Sequence, residues 1–162
     1  MKNKSWYEDI NLKISNLIDK LGSSNVRKYR VELLDRLSKR TEEFSIINCN
    51  ECKKHKQLIE GMIQYLEGNN EMKRKMYLNS FNKLIGHMNS KHDLHVEGTK
   101  QALWMSMGMS LGSGLGIIFG IVYDNFENIA VGLPIGTGFG MFIGILIGQQ
   151  QEVKLKEEGK II

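Results

Sequence analysis

The stretch that decides the fold is the last third of the chain, where two uncharged segments follow one another. Residues 102–123 read ALWMSMGMSLGSGLGIIFGIVY, and residues 129–148 read IAVGLPIGTGFGMFIGILIG. Each segment has about 20 residues, enough for a helix to cross roughly 30 Å of hydrocarbon. The residues between them, 124–128, read DNFEN and leave room only for a tight acidic turn. The sequence therefore predicts a transmembrane helical hairpin over residues 102–148.

Glycine recurs at every fourth position in both segments. In lipid, helices gain little from burying apolar side chains against each other, so rows of small residues that allow close backbone approach drive their packing. The first row is Gly108, Gly112, Gly116 and Gly120, and the second is Gly132, Gly136, Gly140, Gly144 and Gly148. We expect these nine glycines to be the helix-packing residues of the hairpin.

Small and polar residues also occur outside the two glycine rows. They are Ser106, Ser110, Ser113, Gly114, Thr137 and Gly138. One interpretation is that the small residues only hold the two helices of one hairpin together. The other is that this second face contacts further copies of the chain, which predicts a homo-oligomer and allows a polar lumen.

The charged residues predict the orientation of the hairpin. Of the 22 lysine and arginine residues, 19 lie between Lys2 and Lys100 and the last three follow Val153, whereas the turn has only acids. Because basic residues stay on the cytoplasmic side, both termini are predicted to be cytoplasmic. The first residues also lack the apolar run of a secretory signal.

The first hundred residues are basic, with 19 basic and 13 acidic side chains and a net charge of +6. A basic region next to a membrane favours the anionic surface of a lipid bilayer as its partner. The charges are spread along the chain without the basic clusters and interleaved aromatic residues that favour nucleic acid. Nucleic acid is therefore disfavoured as a partner.

The region before the hairpin shows apolar residues at helical spacing and no strand alternation. The sequence therefore predicts an all-α protein, a small cytoplasmic helical bundle followed by the transmembrane hairpin. We predict an N-terminal helical hairpin over 1–47, with a capping box at Ser5–Glu8 and a helix end at Gly22, and a second helical hairpin over 48–95. A linker is predicted at 96–101 and a cytoplasmic tail at 149–162.

Four residues of the second helical hairpin predict a metal site. Cys49 and Cys52 open its first helix, and the return helix carries His87, with His92 just beyond its predicted end. Helices of about 16 and 17 residues bring these ends level at 1.5 Å per residue. Two cysteines and two histidines are typical ligands of structural zinc, with no open position for water.

Other interpretations of these residues remain open. His55 and His95 are alternative ligands, and the two cysteines are also explained as buried free thiols. A redox-active cysteine pair usually accompanies a βαβ pattern, which is absent here.

From Cys49 to Ile162 the chain resembles the uncharacterised bacterial glycine-zipper proteins that place a CxxC and histidine helical hairpin before two glycine-rich transmembrane helices. The resemblance rests on CNEC at 49–52, HMNSKH at 87–92, LHVEG at 94–98, the glycine rows, and the closing KEEGKII at 156–162. It implies a multi-pass protein of the bacterial inner membrane. It implies no activity, so the function has to be argued from the residues.

The sequence favours two functions, neither of them enzymatic. It has no nucleophile with a neighbouring base and no phosphate loop, and residues 112–116, GSGLG, lie inside an apolar segment. The first function is an oligomeric membrane effector that permeabilises or depolarises the bilayer, with the cytoplasmic helices as a sensing or interaction domain. The second is a membrane-anchored adaptor that recruits a cytosolic protein. No ionisable residue lies inside either span, which disfavours a pump or proton relay.

Overall fold

The computed structural model describes residues 5–68, 74–124 and 129–162. Within these ranges the structure has six helices joined by turns and no strand beyond an isolated bridge between His95 and Ile161, which confirms the predicted all-α class. Apart from Asp124, the predicted acidic turn lies outside the described residues. The helices are α1 (Trp6–Tyr29), α2 (Val31–Ile46), α3 (Asn50–Leu66), α4 (Arg74–His92), α5 (Thr99–Asp124) and α6 (Ile129–Glu157). The chain divides after His92 into two compact units, a helical domain and a helix pair.

Helix α1 begins with the predicted capping box. The Ser5 hydroxyl accepts the Glu8 backbone N–H at 3.2 Å, and the Glu8 carboxylate accepts the Ser5 backbone N–H at the same distance. Each bond satisfies an N–H group that a bare helix start leaves without a partner. The local sequence thus determines where the first helix starts.

Residues 6–46 contain two backbone interruptions where the sequence predicts one. Gly22, the predicted end of the first helix, is a kink within α1 with φ 70° and ψ 156°. A second interruption lies at Arg30, whose φ of 51° separates α1 from α2. The sequence predicts that the second helix runs from the break at residues 22–24 to about Phe44 without this interruption. An arginine in the left-handed region carries no turn signature, so sequence patterns do not reveal the break.

Side chains from all four helices of the domain fill its core. Tyr77 and Leu84 of α4, Leu34 of α2, Ile59 of α3 and Ile10 of α1 are each at most 1% exposed. Full burial of a large apolar side chain contributes roughly 1.5–3 kcal/mol. This core holds the end of α4 beside the start of α3, where the predicted metal ligands lie.

The second unit is the pair α5 and α6, which pack against each other in antiparallel orientation. Both helices are long and apolar enough to cross a membrane. They also extend beyond the predicted spans, because α5 begins at Thr99, within the predicted linker, and α6 continues to Glu157, within the predicted tail.

Candidate functional site

The four predicted metal ligands come together at one end of the helical domain. Cys49 is the residue before the first turn of α3, and Cys52 lies within that turn and is fully buried. His87 lies five residues before the end of α4, and His92 is its last residue. One ligand atom from each residue lies within 4.8 Å of the other three. The start of α3 and the end of α4 therefore lie side by side, as the predicted helix lengths indicated.

The distances within this cluster suit a zinc ion. His87 Nε2 lies 3.4 Å from Cys49 Sγ and 3.3 Å from Cys52 Sγ, and His92 Nε2 lies 3.4 Å from Cys52 Sγ. Tetrahedral zinc, with bonds of about 2.3 Å to sulfur and about 2.0 Å to nitrogen, separates these atoms by roughly 3.5 Å. The cluster is compatible with structural zinc binding through four protein ligands.

Two neighbouring residues orient the histidines, and the sequence analysis missed both. His87 donates its Nδ1–H to a carboxylate oxygen of Glu51 at 2.7 Å, which leaves Nε2 facing the sulfur atoms. The Phe44 ring stacks on His92 with centroids 3.8 Å apart. A carboxylate behind a ligating histidine fixes its tautomer and raises its basicity. The sequence signal that could have indicated the Glu51 contact was the position of this acidic residue between the two cysteines.

Burial favours the neutral forms of two members of the cluster, Cys52 and His92. Burial raises the pKa of the Cys52 thiol to about 12, and Cys49 adds to the effect. Burial, followed by His87, lowers the pKa of His92. A neutral imidazole can bind a cation directly, whereas a buried thiol has to lose its proton before it can bind the cation. A cation beside Cys52 would therefore favour its thiolate form.

The two alternative histidines lie outside the cluster. His55 is buried and packs edge-on against His87 with ring centroids 4.7 Å apart, but its Nδ1 has no hydrogen-bond partner among the described residues. His95 belongs to the second unit, where its Nε2 lies 3.3 Å from an Asp93 carboxylate oxygen. The candidate ligand set is accordingly Cys49, Cys52, His87 and His92.

In the second unit, glycines bring the backbones of α5 and α6 into direct contact. A Cβ added at Gly112 would lie 2.9 Å from the Cα of Gly140, and one added at Gly136 would lie 2.8 Å from the Cα of Gly116. Such distances leave no room for any side chain. Contacts of this kind connect eight of the predicted glycines with the facing backbone: Gly108, Gly112, Gly116, Gly132, Gly136, Gly140, Gly144 and Gly148. The ninth, Gly120, is buried opposite Gly132.

Of the small and polar residues outside the glycine rows, two contact the other helix and four are exposed. The hydroxyl groups of Ser113 and Thr137 hydrogen-bond each other at 2.7 Å, so these two residues join α5 to α6. A Cβ added at Gly114 or Gly138 would meet nothing within 4 Å. The four exposed residues are Ser106, Ser110, Gly114 and Gly138. These four remain available on the surface of the helix pair.

A set of polar contacts, which we call the tail clasp, joins residues 93–98 to residues 152–161. The His95 N–H donates to the Lys160 carbonyl at 2.8 Å, and Lys160 Nζ lies 2.9 Å from an Asp93 carboxylate oxygen. The Glu152 carboxylate accepts the N–H of Gly98 immediately before α5. The LHVEG and KEEGKII motifs are thus two sides of one contact, which the sequence analysis did not predict.

Comparison of this chain with protein-family models, curated proteins and solved structures finds no match. Functional conclusions therefore depend on the residues and geometry described above.

Proposed function

We propose that this protein is an oligomeric membrane effector that permeabilises or depolarises the bilayer. The observation that carries the proposal is the exposed face of α5 formed by Ser106, Ser110 and Gly114, together with Gly138, which is exposed on α6. The glycine rows already join α5 to α6, so a single hairpin makes no use of this face. Small and polar residues on a lipid-exposed surface favour association with further helices.

The membrane location in this proposal rests on the side chains that the helix pair exposes. Leu111, Phe119 and Phe139 are 72%, 59% and 67% exposed, and no charged residue lies between Ala102 and Tyr123. Such a surface suits lipid far better than water. The flanking basic residues then favour a hairpin in the bacterial inner membrane with both termini in the cytoplasm.

In the same proposal, the helical domain is the cytoplasmic sensing or interaction part. A zinc ion held by α3 and α4 would join the ends of two helices in a domain of fewer than 100 residues. Domains of this size gain much of their stability from such a metal. The zinc would therefore be structural and supply no chemistry.

A membrane-anchored adaptor is the alternative function. Ile46 and Ile47, at the end of α2, are 76% and 75% exposed on the helical domain, which favours contact with a cytosolic protein. The lack of ionisable residues in the apolar segments also favours an anchor, since a conducting path usually includes them. The two functions differ in what the exposed small face of the helix pair does.

Membrane potential during induced expression tests the effector proposal. Wild-type protein should collapse the potential reported by a voltage-sensitive dye. Gly140→Leu, which separates the two helices, and Gly114→Leu, which blocks only the exposed face, should both abolish the collapse. Val122→Leu is the control, because Val122 is 74% exposed and lies away from both small faces.

Two outcomes would contradict the effector proposal. One is an unchanged potential when membrane fractions contain the wild-type protein. The other is full activity of Gly114→Leu, which would leave the exposed small face without a role and favour the adaptor.

A further inference from the structure

A cleft of about 400 Å³ lies beside the metal cluster, between α3 and α4. Lys54 and His55 of α3 face Lys83 and Ser90 of α4 across it. Glu51 and His87 form the wall that it shares with the cluster. The cleft is therefore built entirely within the helical domain.

The cleft has an excess of positive charge. Lys54 and Lys83 are both exposed, and neither forms an ion pair with another described residue. The acidic side chain at the cleft, Glu51, already accepts the Nδ1–H of His87. Two ammonium groups on facing helices thus lack an anionic partner.

His55 supplies a second, independent observation. The residue is 6% exposed, and its buried Nδ1 has no hydrogen-bond partner among the described residues. A buried polar atom without a partner costs roughly 1–3 kcal/mol, so native proteins retain few of them without a reason. The His55 ring also lines the cleft, where it lies beside the two lysines.

We infer that this cleft binds a phosphate group, carried either by a small soluble phosphate ester or by a phospholipid headgroup. Lys54 and Lys83 supply the balancing charges, and the His55 ring lies in the cleft wall beside them. Phosphate oxygens accept several hydrogen bonds at once, and lysine binds them as a point charge. The inference is independent of whether the helix pair depolarises membranes.

The test uses the full-length, zinc-loaded protein in detergent micelles free of phospholipid. Inorganic phosphate is titrated calorimetrically into wild type, Lys83→Met and Lys75→Met. Lys75 is a matched control because it is an exposed lysine of the same helix that does not line the cleft. Wild type and Lys75→Met should bind phosphate saturably, and Lys83→Met should bind it at least about tenfold more weakly, since hydrogen bonds to charged groups contribute roughly 1.5–3 kcal/mol.

A second arm of the experiment distinguishes the two sources of phosphate. Phosphatidylglycerol is added to the micelles of the phosphate-bound protein. Displacement of phosphate identifies a lipid headgroup as the ligand, and retention identifies a soluble ester. The inference is overturned if wild type binds no phosphate, or if Lys83→Met and Lys75→Met weaken binding equally. One zinc ion per chain in both variants confirms that the neighbouring cluster is intact.

Discussion

The helices inside the helical domain and the helices inside the helix pair pack in opposite ways. In the domain, large side chains such as Tyr77, Leu34 and Met62 are buried and the backbones stay apart. In the helix pair, the backbones touch through glycine, and large side chains such as Leu111 and Phe139 point outward. In water, burial of apolar side chains drives folding, whereas in lipid close backbone packing replaces it. The comparison shows that one chain contains two kinds of helix packing, one based on large side chains and one based on glycine.

The largest expected effect concerns the backbone contact in the helix pair. Gly136→Leu forces a side chain against the backbone of Gly116, whereas Gly138→Leu, two residues later, enters open space. We expect Gly136→Leu to lower the free energy of unfolding in micelles by about 3 kcal/mol, at the upper end for overpacked sites. Gly138→Leu should not lower it, because glycine is a weaker helix former than leucine by roughly 1 kcal/mol. Equal thermal stability of the two variants would contradict the described packing.

The next effect concerns the metal cluster of the helical domain. Replacing both Cys49 and Cys52 by serine should reduce the zinc content of the purified protein from about one ion per chain to nearly zero, because serine is a poor zinc ligand. His95→Gln is the control, since this histidine lies outside the cluster. Elemental analysis measures the result. Zinc that persists in the double variant would exclude this ligand set.

A smaller effect is expected at the hydrogen bond behind His87. Glu51→Gln keeps the shape of the side chain but removes its charge, so we expect zinc affinity to fall by about tenfold. Competition with a chromophoric chelator measures the change. Glu32→Gln, an exposed site on α2, provides the reference and should match wild type. An unchanged affinity in Glu51→Gln would show that the carboxylate does not support the ligand.

The smallest effect concerns the tail clasp and pH. The hydrogen bond from Lys160 lowers the pKa of Asp93 below its ordinary 3.8 and that of Glu158 below 4.5, and the two carboxylates raise the pKa of Lys160 above 10.5. A depressed carboxyl pKa contributes stability that is lost as pH falls, and a raised lysine pKa contributes stability that is lost as pH rises. The clasp should therefore be complete between about pH 4.5 and pH 10.5.

The protection factor of the His95 amide, which donates to the Lys160 carbonyl, reports on the clasp. It should decline as the pH falls from 5 to 3 in wild type and change less in Lys160→Met. Lys100→Met serves as the control and should follow wild type. Identical profiles for wild type and Lys160→Met would show that the ion pairs contribute nothing.

Sequence patterns predicted the parts of the fold that depend on local periodicity. The spacing of apolar residues predicted an all-α domain, and the lengths of α3 and α4 predicted that His87 would reach Cys52. The four-residue glycine period predicted which residues α5 and α6 bring together. These features follow from helix geometry alone.

The missed features depend on tertiary contacts or on backbone states without a sequence signature. Arg30 adopts a left-handed conformation that glycine usually marks. The bonds from His87 to Glu51 and from His95 to the Lys160 carbonyl join residues 36 and 65 positions apart. Periodicity cannot reveal such pairs, because it describes only one helix at a time.

The glycine rows also limit how the helix pair can move. Because glycine recurs every fourth residue, α5 and α6 fit together again only after a slide of about 6 Å, the rise of four residues. Any smaller slide places bulky side chains opposite the facing backbone. The two helices therefore cannot slide past each other in small steps, and the pair moves as one rigid unit. In the proposed membrane oligomer, a conformational change should consequently appear as whole hairpins tilting or rotating against each other.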